Sequence, residues 1–134
     1  MSNKLALVVS TAIKFPHPLL FSKTFTGKGQ VYAIQSDSSG NTYLAVSYIQ
    51  SITIDETTLS TSNQGVQPVL LKFDANGTLV WHIDITSFDS SMDYFKSIAI
   101  DSADAIYICY DNYYYSYVKK LDTNGNVLLT IEQQ

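Results

Sequence analysis

The sequence predicts an all-β protein of antiparallel strands, and three observations predict it. β-Branched and aromatic residues crowd the apolar stretches, with ten Tyr and six Phe in 134 residues. Such side chains suit a pleated, half-buried surface. Clusters of Asp, Asn, Ser and Gly interrupt those stretches at intervals too short for helices. Two hairpin patterns each occur twice along the chain. No window holds a helical period, because turn chemistry or β formers intervene.

The totals describe one modest ordered domain with a real core. Charged residues make up only 15% of the chain, where disorder needs the opposite balance. All eight cations are Lys, and net charge is −4. Phosphate binding wants a basic stripe and base reading leans on Arg, so no nucleic-acid partner is expected. An anionic membrane surface is disfavoured for the same reason. No apolar run is long enough to span a bilayer. Cys109 stands alone, so one chain can form neither an internal disulfide nor a multi-Cys zinc site. Its neighbours Ile108 and Tyr110 suggest a small buried hydrophobe in a strand.

The elements follow in order. Lys4 and the apolar residues 5–9, then Ser10-Thr11-Ala12, have the outline of a weak targeting segment. Residues 5–13 are read instead as a first strand. Phe15-Pro16-His17-Pro18 breaks any regular element. Residues 19–25 are a second strand, ended by a turn at Thr26-Gly27-Lys28-Gly29. Residues 31–35 and 42–49 are strands joined by Asp37-Ser38-Ser39-Gly40-Asn41, where Asp and Ser bond locally and Gly accepts positive φ. Residues 52–55 form a short strand or an outer excursion, and 57–65 read as a polar loop. Residues 70–73 and 79–85 flank an Asp74-Ala75-Asn76-Gly77 turn. Leu79, Trp81, Ile83 and Ile85 alternate with Val80, His82 and Asp84, which predicts one apolar face. Residues 95–100, 105–110, 115–121 and 126–131 complete the strands.

The repeat organises this series. Residues 33–46 align without a gap on 97–110, keeping Ile, Asp-Ser and Tyr in place. The hairpin at 70–85 aligns on 118–131: Lys72/Lys120, Asp74/Asp122, Asn76/Asn124 and Gly77/Gly125 coincide. Leu79, Trp81 and Ile83 become Val127, Leu129 and Ile131. Each pair of hairpins makes a four-stranded unit, the sequence signature of a β-propeller blade. The expected layout is an N-terminal strand pair with a Pro-containing loop (1–29), a first blade-like repeat with a long 50–67 excursion (30–88), and a second repeat (89–134). All three belong to one domain.

Asp-Ser-Ser-Gly-Asn-Thr-Tyr-Leu at 37–44, followed by Leu-Leu-Lys-Phe-Asp-Ala-Asn-Gly-Thr-Leu-Val-Trp at 70–81, resembles the bacterial β-propeller repeat called SBBP. It is similar, less closely, to NHL-type repeats. The resemblance covers residues 30–131. The second unit departs from the pattern, with Asp104-Ala105 for Gly40-Asn41 and Leu129 for Trp81. The resemblance implies propeller-type blades that act mainly as binding or surface modules, with a few enzymes among related propellers. Propellers close with four to eight blades, and two blades alone would leave apolar faces uncovered. Self-association or docking onto a larger partner is therefore expected.

No catalytic constellation stands out. The Asp-x-Asn-Gly turns lack the oxygen ligands of a calcium loop and read as hairpin turns, so no metal is expected. No cofactor is implied. His17 lies between prolines and His82 on a strand beside Asp84, with no nucleophile elbow in the sequence. Asp84, Asp89 and Asp93 make an acidic patch that reads as solvated loop. Asn76-Gly77-Thr78 is formally a glycosylation sequon that a hairpin turn already explains. Tyr110, Tyr113, Tyr114, Tyr115 and Tyr117 are the candidate partner- or ligand-binding residues, because Tyr offers rigid apolar area with a polar tip. Packing between blades explains the same residues equally well.

The expected function is a non-catalytic structural or interaction module that assembles with copies of itself or with a larger partner. It is expected in a cell-surface or virion assembly; the Lys-only cations and abundant Asn, Ile and Tyr fit an A/T-rich genome, which bacteria and large DNA viruses both offer. A carbohydrate-binding propeller using the Tyr-rich segment is the alternative. A propeller-type lyase or hydrolase comes last.

Overall fold

The computed structural model describes residues 4–10, 19–62, 64–85, 94–111 and 114–133. Ten strands are present, and no helix occurs among the described residues. They are β1 (Lys4–Ser10), β2 (Leu19–Ser36), β3 (Thr42–Ile54), β4 (Thr57–Ser60), β5 (Val66–Phe73), β6 (Leu79–Asp84), β7 (Tyr94–Ile100), β8 (Ile106–Asp111), β9 (Ser116–Leu121) and β10 (Val127–Gln133). The first sheet runs β1-β2-β3-β5-β6, with β4 also paired to β3. The second is the meander β7-β8-β9-β10. All pairings are antiparallel. The described strands form no closed barrel or ring.

Four turns are built alike. In each, an Asp amide donates to a carbonyl four residues on, while its own carbonyl accepts from the residue three on: Asp37, Asp74, Asp101 and Asp122. One carboxylate oxygen of each Asp accepts two further amides, as Asp74 does from Asn76 and Thr78 at 2.9 Å. The fourth position has positive φ, at Gly40, Gly77, Asp104 and Gly125. Asp104 is the one side chain in that set. Left-handed backbone costs a non-Gly residue about 1–2 kcal/mol. Asp104 has a use for the position: its carboxylate accepts from the backbone amide of Ser38 at 2.9 Å and from the Ser38 hydroxyl. That clasp joins the turns of the two sheets at one end.

The sheets meet face to face. Tyr43, Ala45, Leu70 and Ile85 of the first pack against Phe95, Ile98, Ile106, Ile108, Tyr110, Tyr117 and Leu121 of the second. The opposite face of the first sheet carries a second core, Leu44, Val46, Val69, Leu71 and Phe73, covered by Phe25, Ile52, Ile54 and Leu59. The cover comes from the chain itself: Phe25 from β2, and Ile52, Ile54 and Leu59 from the 50–67 excursion. At about 3.3 Å per residue, a straight β2 would hold Lys23 roughly 43 Å from Ser36. Yet the Lys23 ammonium lies 5.9 Å from the ring of Phe73, two pairings away from Ser36. Strand β2 therefore folds back over its own sheet, with β3 and β4 beside it.

The corner overturns an expected turn. Residues 26–29 do not end a strand but form a bulge inside β2. Register slips between Gly27 and Lys28, leaving Gln50 and Ser51 of β3 without partners on β2. Gly27 has φ +137° and Gln50 φ 65°. The salt bridge between Lys23 and Asp55 ties the folded-back layer together. Likewise the 57–65 segment is not all loop, because β4 buries Leu59 beneath it.

A second bulge corrects the single apolar face expected of β6. Phe73 pairs with Leu79 but Lys72 with Trp81, so Val80 is extra. Leu79 then joins the outer core, while Trp81 and Ile83 join the core between sheets. Trp81 is only half-buried. Strand β10 has the same bulge at Leu128, and every residue of β10 is exposed.

Candidate functional site

The repeat gives each residue of the first sheet a counterpart in the second. The face of the first sheet docked inside the molecule carries Tyr43, Ala45, Leu70, Lys72, Trp81 and Ile83. Their counterparts are Tyr107, Cys109, Val118, Lys120, Leu129 and Ile131. Alternation along β8 sends Ile106, Ile108 and Tyr110 inward, so Tyr107 and Cys109 stand on the other face. Pairing places Lys120 beside Tyr107 and Leu129, and Val118 beside Cys109 and Ile131. The second sheet thus repeats on its outer face the surface the first sheet uses for docking.

The two faces match in detail. Lys72 holds its ammonium 5.5 Å from the Tyr43 ring and 5.9 Å from the Trp81 ring. Lys120 holds its own 5.4 Å from the Tyr107 ring. Tyr43 donates its hydroxyl to Asp37 at 2.9 Å, and Tyr107 donates to Asp101 at 3.0 Å. They differ in cover. Tyr43, Ala45 and Leu70 are fully buried, whereas Tyr107, Cys109 and Val118 are half-exposed. Leu129 and Ile131 are each 52% exposed. On the docked face, Lys72 and Trp81 both donate to the carbonyl of Thr123, at 2.7 and 3.2 Å. The Asp122–Gly125 turn of the second sheet therefore sits on the Lys72–Trp81 platform.

Electrostatics follow from the same bonds. Burial of Tyr43, with the Asp37 carboxylate beside it, raises its hydroxyl above the ordinary tyrosine range. The hydrogen bond to Tyr107 raises the Lys120 ammonium. The Ala105 amide lowers Asp101, and the Asn126 side chain lowers Asp122. For Asp37, burial acts to raise it, but bonds from Asn41, Tyr43 and Ser39 together lower it. A carboxylate with a depressed folded pKa contributes stability above its unfolded value, near 4, and loses it as pH falls through the folded value. The melting temperature is thus expected to hold at neutral pH and fall below about pH 4. A flat thermal profile down to pH 2 would show that these turns contribute nothing as carboxylates.

The Tyr-rich segment divides. Tyr110 and Tyr117 are buried and stacked, with ring centroids 4.9 Å apart. They belong to the core between sheets, so neither ring is open to a ligand. Tyr115 packs half-buried on Tyr117, and Tyr114 is 62% exposed with its edge to Tyr115. Tyr113 lies outside the described residues, as do His17, Asp89 and Asp93. His82 and Asp84 are exposed on β6. No cluster of His, Cys, Asp and Glu able to hold a metal occurs among the described residues. No described helix is long and apolar enough to cross a membrane. Cys109 departs from expectation, half-exposed on the outer face instead of buried.

Sequence alignment of the repeats already pairs Lys72 with Lys120 and places Tyr43 and Tyr107 in register. What it misses is that these residues form one platform, because the bulge that carries Trp81 and Leu129 onto it has no local signature. A scan against protein-family models finds no match for this chain, and neither does a search of curated proteins.

Proposed function

We propose that this protein is a non-catalytic interaction module of the β-propeller repeat type, which assembles through the outer face of its second sheet. One observation carries the reading: that face repeats the docked face of the first sheet, and no strand among the described residues covers it. Blade-like stacking is supported by the four equivalent turns and the matching bulges in β6 and β10. The likeness of residues 37–44 and 70–81 to SBBP repeats points the same way. The far face of the first sheet is occupied by the chain's own folded-back layer, which leaves one apolar sheet face for partners among the described residues. A surface or virion assembly suits such a module.

Two copies can meet through this face about a two-fold axis. Sedimentation over a wide concentration range is expected to show self-association. Leu129→Glu with Ile131→Glu should abolish it while leaving the melting temperature within a few degrees, since neither residue is in the core. A monomer at every concentration would overturn self-assembly. A large loss of stability in the double variant would mean that the face is already covered.

A further inference from the structure

The occupant that fits this face completely can be described from the molecule's own interface. We infer that the outer face of the second sheet docks a four-stranded antiparallel sheet of the same repeat type, carried by a partner chain. Its Asp-x-Asn-Gly turn would lie on Lys120 and Leu129. The inference deepens the proposed function and rests on its reading of the face.

The template is the contact between the two sheets. There the incoming sheet supplies an apolar face, with Ile98, Ile108, Tyr110 and Leu121 at its centre. It also supplies the carbonyl of the second turn residue, Thr123, as acceptor for Lys72 and Trp81. Gly125 of the same turn approaches Trp81 and Ile83 so closely that a β-carbon there would meet both side chains. Lys120 repeats the position of Lys72 over its tyrosine but, among the described residues, is given no carbonyl of this kind. With Leu129 in place of Trp81, Lys120 is what remains of the Lys–Trp donor pair on this platform. An ammonium meeting a turn carbonyl fixes the register of the incoming sheet, while Cys109, Val118 and Ile131 supply the apolar ground.

A second copy of this chain is not the full complement. Its two candidate docking faces are taken, one by its own first sheet and the other by the layer of Phe25, Ile52, Ile54 and Leu59. Two copies can therefore touch only through like faces, with Lys120 opposed to Lys120. The matching sheet must come from a chain whose repeat is not already capped in this way.

The test extends the full chain at its C-terminus by an eight-residue linker, as long as the 86–93 segment, and a second copy of residues 94–133. Cys109→Ala is introduced in the added copy only. Alkylation of the remaining Cys109 under native conditions is the readout, because its counterpart Ala45 is fully buried when docked. The rate is expected to fall at least tenfold relative to the unextended chain. Ile106→Asp with Ile108→Asp in the added copy should restore it. Lys120→Met in the first copy should weaken protection without removing it. An unchanged rate overturns the inference, and so does an added copy that stays unstructured by hydrogen exchange, since the face is what should order it. If the chain stays monomeric yet the added sheet protects Cys109, self-assembly fails and this inference stands. Alkylation is run at a concentration where the unextended chain is monomeric; if the chain self-associates at higher concentration but Cys109 of the extended chain stays reactive under these conditions, the reverse holds.

Discussion

Tyr43→Ala is expected to destabilise the protein by about 3–5 kcal/mol in urea unfolding. The ring is fully buried between the sheets and tilted against Trp81 with centroids 5.9 Å apart. The Lys72 ammonium rests over its face. Removing it opens a cavity that neither sheet can close, because both are pinned by their turns. Tyr43→Phe separates the two roles of the side chain. It keeps the packing and removes only the bond to Asp37, a loss of about 1–2 kcal/mol. Trp81→Ala should cost less than Tyr43→Ala, about 2 kcal/mol, because the indole is half-buried. If Trp81→Ala proved the more damaging of the two, the core would be centred on β6 rather than on β3.

Gly27→Ala should be nearly as severe, at about 3 kcal/mol or more. A β-carbon on Gly27 would stand 2.6 Å from the backbone oxygen of Ser51. Backbone meeting backbone has no flexible end to yield, and φ +137° is a conformation L side chains rarely adopt. The strain falls where β2 and β3 turn back over the first sheet. The expected signature is therefore faster proteolysis within residues 19–60 as well as a lower unfolding midpoint. Gly40→Ala is the control. Its φ is +85° but its nearest contact is 3.6 Å, so only the left-handed penalty of about 1 kcal/mol applies. Equal effects at the two positions would mean that the corner is not built on close approach.

The readable parts of the chain are those governed by short-range chemistry. Asp-x-Asn-Gly and Asp-Ser-Ser-Gly announce hairpin turns because a carboxylate accepting two nearby amides and a positive-φ glycine are local requirements. The three such turns occur where expected, and the repeat places the fourth, Asp101–Asp104, without a glycine. A strand at 105–110 was legible too, but not its faces: Ile106, Ile108 and Tyr110 turn inward, and Cys109, expected to be buried, faces out. Thr26-Gly27-Lys28-Gly29 misled for a physical reason. Glycines serve a turn and a bulge alike, and only the partner strand, with its two extra residues, decides between them. Leu79 and Trp81 misled similarly, because a bulge at Val80 sends them to opposite faces. The Tyr-rich segment could not be divided by pattern. Whether Tyr110 and Tyr117 meet each other or a ligand depends on strand pairing across the hairpin.

The sequence by itself determined an all-β chain, its four Asp-led turns and the correspondence between its repeated hairpins. Tertiary structure alone decided which faces are covered. The same Tyr-Lys platform is buried at Tyr43 and Lys72 and open at Tyr107 and Lys120. The two copies differ little in composition. They differ in what lies opposite, and contacts between residues far apart in the chain are not encoded in any one stretch of it.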